Sequence, residues 1–243
     1  MLLEWAGMAE RSWERWDDAG VADTIESYWN GSVLENVHRA VLADLSAEYV
    51  TSRDTELLEV GCGTGKVYEQ LVPRLLPDER YTGVDVSASM LEIARRKFPQ
   101  GRFLRGDGYG LAFPDRSFDT AVAFEVLGHL PEVAPFLGEL LRVVRRMAIV
   151  TVWPCAEGTV DTEESVRGST FIHRQYSHEW LCGQIEAAAP GQALDLDVAI
   201  LDGACWGYVL KRRPGEGGLV FRRLLPVSNY RQRLLQELAA AQR

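Results

Sequence analysis

A doubly wound, mostly parallel α/β sheet is the predicted fold, on three observations. Apolar runs of strand length alternate with helical stretches five times between residues 34 and 153. The first run, Leu57 to Val60, breaks directly into glycines at alternate positions, Gly61, Gly63 and Gly65. The second run, Tyr81 to Val86, carries an acid, Asp85, at its carboxyl end, about 20 residues beyond the glycines. A strand that turns tightly into a helix at the carboxyl edge of a sheet is where open α/β folds bind nucleotides, and alternate glycines let backbone approach a ligand where any Cβ would collide.

The 243 residues suit one such domain with additions, and 47% hydrophobic with 25% charged residues excludes a disordered or fibrous chain. A net charge of -9 opposes a phosphate backbone, so no nucleic-acid partner is expected. The local basic runs, Arg95 to Lys97 and Arg142 to Arg146, fall late in predicted helices and read as solvated faces. No apolar run approaches the ~18 residues of a membrane span, and the first residues lack a basic stretch followed by an apolar core, so a cytoplasmic protein is expected. Cys62, Cys155, Cys182 and Cys205 are scattered, which suggests neither zinc nor a disulfide framework.

Residues 1–32 hold Trp5, Trp13, Trp16, Tyr28 and Trp29 among many acids. Rings with few rotatable bonds seal an apolar pocket well, so a helical lid is one reading; packing on the domain or on a second subunit, as in a homodimer, is the other. Val33, Leu34, Val37, Val41, Leu42 and Leu45 recur at helical spacing and place an amphipathic helix over Val33 to Val50. A helix starts near Lys66 and runs to Pro77, with Pro73 inside it to kink or divide it. Ser87 or Ser89 caps the next helix, Ser89 with Glu92 fitting a capping box, and Met90, Leu91 and Ala94 face inward. Arg102 to Arg105 is a third strand ending in Gly106, Asp107 and Gly108; Phe118 to Phe124 is a fourth, left at its carboxyl edge by Glu125 to Leu130; Leu137 to Arg146 is helical and Met147 to Trp153 is a fifth strand. Residues 154–176 read as a polar inserted loop, and Ser177 caps a helix to Ala189. Leu194 to Leu201 and Cys205 to Lys211 are strands joined by a tight antiparallel turn at Asp202 and Gly203. Residues 214–243 read as a glycine-rich hinge followed by a helix over Tyr230 to Ala241.

The glycine loop separates three kinds of nucleotide site. A phosphate-binding GxxxxGK loop fails, because Val60 stands at its first glycine and Val67 follows Lys66; a dinucleotide GxGxxG fails at Lys66, which follows Gly65 directly. What remains is ExGxGxG, Glu59, Gly61, Gly63 and Gly65, in ELLEVGCGTG. Asp85 is placed to accept from both hydroxyls of a ribose, which any nucleoside cofactor would want. With GVDVSASML over 83–91 and LAFPDRSFD over 111–119, the chain from about 34 to 153 resembles the class I S-adenosylmethionine-dependent methyltransferases, specifically the small-molecule group. The resemblance implies a Rossmann-like sheet of seven strands, residues 33–213, in which the last two close the sheet with one reversed strand. It implies S-adenosylmethionine as cofactor, over Glu59, Gly61, Cys62, Gly63, Thr64 and Gly65, with the ribose on Asp85 and the adenine beside Val86, Met90, Gly106, Asp107 and Gly108. Phe124 and Glu125, at the end of the fourth strand, complete that set.

A methyl group on sulfonium is already activated, so the enzyme needs mainly to align it and exclude water. For a hydroxyl acceptor His129 is the candidate general base, the bland alternative being an orienting group without proton transfer. Tyr28, Trp29, His129 and Trp153 are the candidate acceptor walls, for a small apolar or aromatic acceptor most simply methylated at oxygen. A metal reading starts from Glu125 and His129 on one helical face, but the related ExxEH motif has its second Glu replaced here by Gly128, and no metal is expected. The alternatives keep the cofactor but not the transfer: a scaffold role in a reaction such as cyclisation, or a sensor of the metabolite.

Overall fold

The computed structural model describes residues 12–201, 205–225 and 235, with the side chains of 12–14 excluded. Trp5, the turn at Asp202 and Gly203 and, apart from Leu235, the helix expected over Tyr230 to Ala241 lie outside the described residues. Seven strands follow the predicted order: β1 (Leu57–Val60), β2 (Tyr81–Asp85), β3 (Arg102–Arg105), β4 (Phe118–Ala123), β5 (Val144–Pro154), β8 (Gln192–Ile200) and β9 (Trp206–Glu216). They are arranged β3-β2-β1-β4-β5-β9-β8, all neighbours parallel up to β5, with β9 antiparallel to both β5 and β8. The order reverses between β1 and β4, which opens a crevice at their carboxyl ends.

Alternation along the strands builds a core on each face of the sheet. Leu58, Val60, Ala121 and Ala123 pack under α5 (Val133–Val143) and α6 (His178–Ala188). Leu57, Val122, Phe124 and Ile149 pack under α2 (Val33–Tyr49), α3 (Lys66–Leu75) and α4 (Ala88–Lys97). Among the described residues no helix is long and apolar enough to cross a membrane.

Five expectations need correction. Residues 154–176 are not a loop: β6 (Thr159–Val166) and β7 (Ser169–Tyr176) form an eight-pair antiparallel hairpin, and β7 joins β5 at Trp153 and Pro154. Leu219–Leu225 is a strand, β10, added parallel to β8 where only a glycine-rich hinge was expected before the C-terminal helix. Both departures have one cause: STFIHRQY is rich in β-branched and aromatic residues and LVFRRLL is mostly apolar, and pairing with a neighbouring strand decided what their mixed polarity left open. Helix α4 is capped by Ser87, whose side chain accepts from the Met90 amide at 3.1 Å, so Ser89 lies inside the helix. Leu34, counted on the buried stripe of α2, is 54% exposed. Pro73 falls in the last turn of α3, where the helix continues undivided to Leu75. Ser177 caps α6 as expected, accepting from the Trp180 amide.

The N-terminal segment forms a 3-10 turn, Ser12–Asp17, and a helix α1, Val21–Gly31, that cross the crevice. Asp17 fastens the turn to the start of α4: its carboxylate accepts from Ser87 Oγ (2.7 Å), the Ala88 amide (3.2 Å), and both the Ser89 amide (3.0 Å) and hydroxyl (2.8 Å). Burial opposes its charge, but the Ser87 hydroxyl together with the Ser89 hydroxyl and the orphan amides at the helix start holds its carboxyl down at about 2. Helix α1 is tied to the glycine loop through Glu26, which accepts from Thr64 and pairs with Lys97 at 2.8 Å, and through Asn30, which accepts from Lys66. The same segment reaches the hairpin, where Ser169 donates to Asp18 and Arg167 Nε donates to Thr24 Oγ1 at 3.0 Å.

Candidate active site

Under this segment lies a cavity of about 400 Å³, within the size range of small-molecule sites. Its floor is the carboxyl edge of β1, β2 and β4. Gly61 has φ +79°, and a Cβ there would stand 2.3 Å from Val126 Cγ2, so only glycine fits. Gly63, at φ +50°, has the Trp29 ring about one van der Waals contact away, 3.7 Å from where its Cβ would be. Asp85 orders the loop: Oδ2 accepts from the Gly63 amide at 2.7 Å and Oδ1 from the Ser87 amide at 2.9 Å. A carboxylate has about four acceptor positions, so two remain for a ligand's hydroxyls. Burial raises the Asp85 carboxyl above its ordinary value despite those amides.

Glu59 is buried on the α2 side of β1 and accepts from the Tyr81 hydroxyl. Desolvation pushes its carboxyl up to about 8, although the Tyr81 bond and the Arg39 charge pull the other way. Glu125 is the reverse case. It sits at φ +57°, a left-handed conformation that its amide stabilises by donating to Thr151 Oγ1 at 2.8 Å. Burial opposes its charge, but Arg39 and His38 (3.2 Å) outweigh burial and hold the carboxyl well below the usual range. Arg39, only 8% exposed, also pairs with Glu35 at 3.4 Å and lies over the Trp29 ring.

The cavity gathers most of the predicted cofactor set: Glu59, Gly61, Cys62, Gly63, Asp85, Val86, Met90, Gly106, Asp107, Gly108, Phe124 and Glu125 all line it. Thr64 and Gly65 do not. Thr64 is turned to Glu26, and Gly65 starts α3 against Phe98 and Phe103. Asp107 makes an Asx turn, accepting from the Tyr109 amide at 2.9 Å, which leaves its second oxygen for a ligand. All four predicted wall residues, Tyr28, Trp29, His129 and Trp153, are also present.

The far wall is aromatic. Trp16 lies on Phe171 (centroids 4.2 Å) and meets the His129 ring edge-on at 5.3 Å; Trp153 stacks on His173 at 4.9 Å. His129 ends a 3-10 turn, Leu127–His129, so it shares no helical face with Glu125, whose carboxylate is engaged by α2. Gly128 has a steric reason: a Cβ there would stand 2.3 Å from the Trp153 ring and 2.8 Å from the Arg174 carbonyl. A glutamate does not fit. His129 Nδ1 is 3.0 Å from the Ile172 carbonyl, which can only accept, so Nδ1 carries the proton and Nε2 keeps its lone pair. Desolvation lowers this imidazole to about 4, aided by the neighbouring His173.

Sequence reading missed Trp16's partner Phe171, the Arg39 network and Tyr109, and it placed His173 and Glu164 in the inserted substrate segment without pairing them or giving them a role; all of these line the cavity except His38 within the Arg39 network. The available signal for the hairpin pair was the alternation of β7, which puts Phe171 and His173 on one face.

Residues 58–152 match the sequence profile of the methyltransferase domain. That stretch is a methyltransferase domain, and the relatives and solved structures it resembles support the class I S-adenosylmethionine-dependent group. Over 157 residues, 60% of the chain, it is 33% identical to the O-methyltransferase cnsE of Penicillium expansum, covering 53% of that protein. The chain thus spans about half the length of this curated relative. In structure it resembles magnesium protoporphyrin IX methyltransferase from Synechocystis, solved with bound S-adenosylmethionine, at a TM-score of 0.63 and 15% identity, covering 85% of this chain and 97% of the other. It also resembles SpnF, a 4+2 cyclase, at a TM-score of 0.56 and 26% identity, covering 84% of this chain and 67% of that one.

Proposed function

We propose that the protein transfers the methyl group of S-adenosylmethionine to an oxygen of a small, largely apolar acceptor. The observation that carries this reading is a single cavity with two unlike halves: glycines and carboxylates at the sheet edge, and rings with a neutral imidazole opposite. The residues present fit the cofactor. The cradle at Gly61 and Gly63 admits a backbone-close ligand, Asp85 keeps two acceptor positions for a ribose, and Asp107 keeps one for an adenine amino group. Bound there, the cofactor would supply a methyl group already activated on sulfonium.

The protein's own part is positioning and dryness. Trp16 and Phe171 close the acceptor half, Trp29 covers the glycine cradle beside it, and the Asp17 and Glu26 contacts hold the N-terminal segment over both. His129 presents Nε2 as an acceptor for a hydroxyl, fixed by the Ile172 carbonyl. The oxygen preference is supported by the named relative and by the sequence after β4, EVLGHL, which lacks the proline and aromatic residues usual for methylation of nucleobase amino groups. A second reading, in which the bound cofactor serves as scaffold for a ring closure, is favoured by the similarity to the cyclase.

Calorimetric titration with S-adenosylmethionine, S-adenosylhomocysteine and NAD is the first test. Binding of both sulfur nucleosides and not NAD is expected; binding of neither overturns both readings. Mass analysis of an acceptor panel then separates them, since transfer adds one methyl and cyclisation leaves the mass unchanged.

A further inference from the structure

Methylation of a hydroxyl releases a proton, and His129 is badly placed to keep it. Its ring is enclosed by Trp16 at 5.3 Å, Trp153 at 5.4 Å and His173 at 4.6 Å, and among the described residues its hydrogen-bond partner is a carbonyl; the nearest carboxylate that acts on it, Glu125, is not in contact with it and is already held by Arg39 and His38. The neighbouring imidazole differs on each point. His173 lies on β7 with Nε2 3.1 Å from Glu164 Oε2 on β6. The register pairs His173 with Thr162, so Glu164 is its diagonal neighbour on the same face, within reach of long side chains. An ionised carboxylate only accepts, so Nε2 carries the proton and Nδ1 keeps the lone pair. Both residues line the cavity, yet the Glu164 side chain is 59% exposed, so the pair connects a dry pocket to water.

We propose that His173 is the site's proton acceptor, with Glu164 as the residue that orients it and offsets its charge, while His129 only orients the acceptor. This rests on the methyl-transfer reading. As the acceptor oxygen forms its bond to the methyl carbon, the carbon–sulfur bond breaks and its electrons neutralise the sulfonium. The electrons of the O–H bond stay on oxygen, and the proton moves to His173 Nδ1. The imidazolium so formed is balanced by Glu164, and the proton leaves through that exposed edge.

Burial lowers both imidazoles and the charge of Glu125 acts upward on both; Glu164 acts upward on His173, whereas His129 has only the Ile172 carbonyl beside Glu125 to raise it and the charge of His173 acts downward on it. The other charged groups nearby are engaged. Glu125 is held by Arg39 and His38, Glu35 by Arg39, and on the lid turn Asp17 and Asp18 face α4 and Ser169.

With only four histidines in the chain, His38, His129, His173 and His178, imidazole nitrogen NMR can follow each one through a pH titration of the full protein. His173→Asn and His129→Asn assign the signals, with His173→Gln in reserve should the first not fold. His173 should bear its proton on Nε2 and gain its second proton at higher pH than His129. Glu164→Gln should lower the His173 midpoint by about one pH unit, as expected for a carboxylate in direct contact. Glu163→Gln, one residue away on the opposite strand face, should leave it in place. A His173 midpoint indifferent to Glu164→Gln, or protonation of His129 first, overturns the proposal. Calorimetry on the same samples keeps the two readings apart: the parent, His173→Asn and Glu164→Gln should bind S-adenosylmethionine within about threefold of one another. Failure of the parent to bind overturns the methyl-transfer reading, whatever the histidine titration shows.

Discussion

The two halves of the cavity are built in opposite ways. The cofactor half is local. Gly61, Gly63, Asp85 and Asp107 sit within three short strand ends, and its key bonds are between backbone amides and a carboxylate 22 residues away. The acceptor half is assembled from a distance: Trp16 meets Phe171 across 155 residues (171 minus 16), and Ser169 reaches Asp18 across 151. The lesson is that the donor side depends on single backbone positions, while the acceptor side depends on two added elements staying docked.

The largest effect expected from breaking this contrast is at Asp85. Asp85→Ala removes an acceptor for two ligand hydroxyls, charge-assisted bonds worth roughly 1.5–3 kcal/mol each, so S-adenosylmethionine affinity should fall by on the order of 100-fold or more by calorimetry. An affinity within a few-fold of the parent would place the ribose elsewhere. Trp16→Ala should do the opposite: it strips the ring from Phe171 and His129 and should cost about 2 kcal/mol in denaturant unfolding, while leaving cofactor affinity within threefold. If cofactor binding collapsed as well, the halves would not be separable.

A smaller effect sharpens how the N-terminal segment is held. The Asp17 carboxyl is depressed in the folded protein, so its contribution is present above the ordinary carboxylate value near 4 and is lost as pH falls from there through about 2. Hydrogen exchange at residues 21–31 should therefore accelerate across that window in the parent. In Asp17→Asn the same residues should already exchange faster at pH 7 and show less dependence below pH 4. The smallest effect is expected at Leu34, where Leu34→Gln should change stability by no more than about 0.5 kcal/mol, because the side chain is exposed. A loss of several times that would mean Leu34 is covered in solution.

A measured affinity at Asp85 would test a position that the sequence alone singled out. ELLEVGCGTG, GVDVS and GDG each confine a ligand-facing group to a strand end by local turn chemistry, so spacing along the chain stood for position in space. Gly61 shows why this works, since neither its φ of +79° nor its contact with Val126 admits a side chain. The same logic placed His129 at the cavity and left open whether it is a base or an orienting group, because its tautomer and polarity depend on a carbonyl from β7 and three rings from other elements.

What the amino-acid order determined by itself was the doubly wound sheet, the glycine cradle and the acids at its edge, because hydrophobic period and turn residues are short-range information. Only the tertiary structure decided that residues 154–176 pair as a hairpin, that Leu219–Leu225 adds a strand, and that Asp17 binds the first amides of a helix 71 residues further on. Strand pairing and docking are long-range choices, made when a half-polar segment finds open backbone groups and rings to cover. His173 and Glu164 are polar residues on such a strand pair, and only the register of that hairpin puts them on one face beside His129.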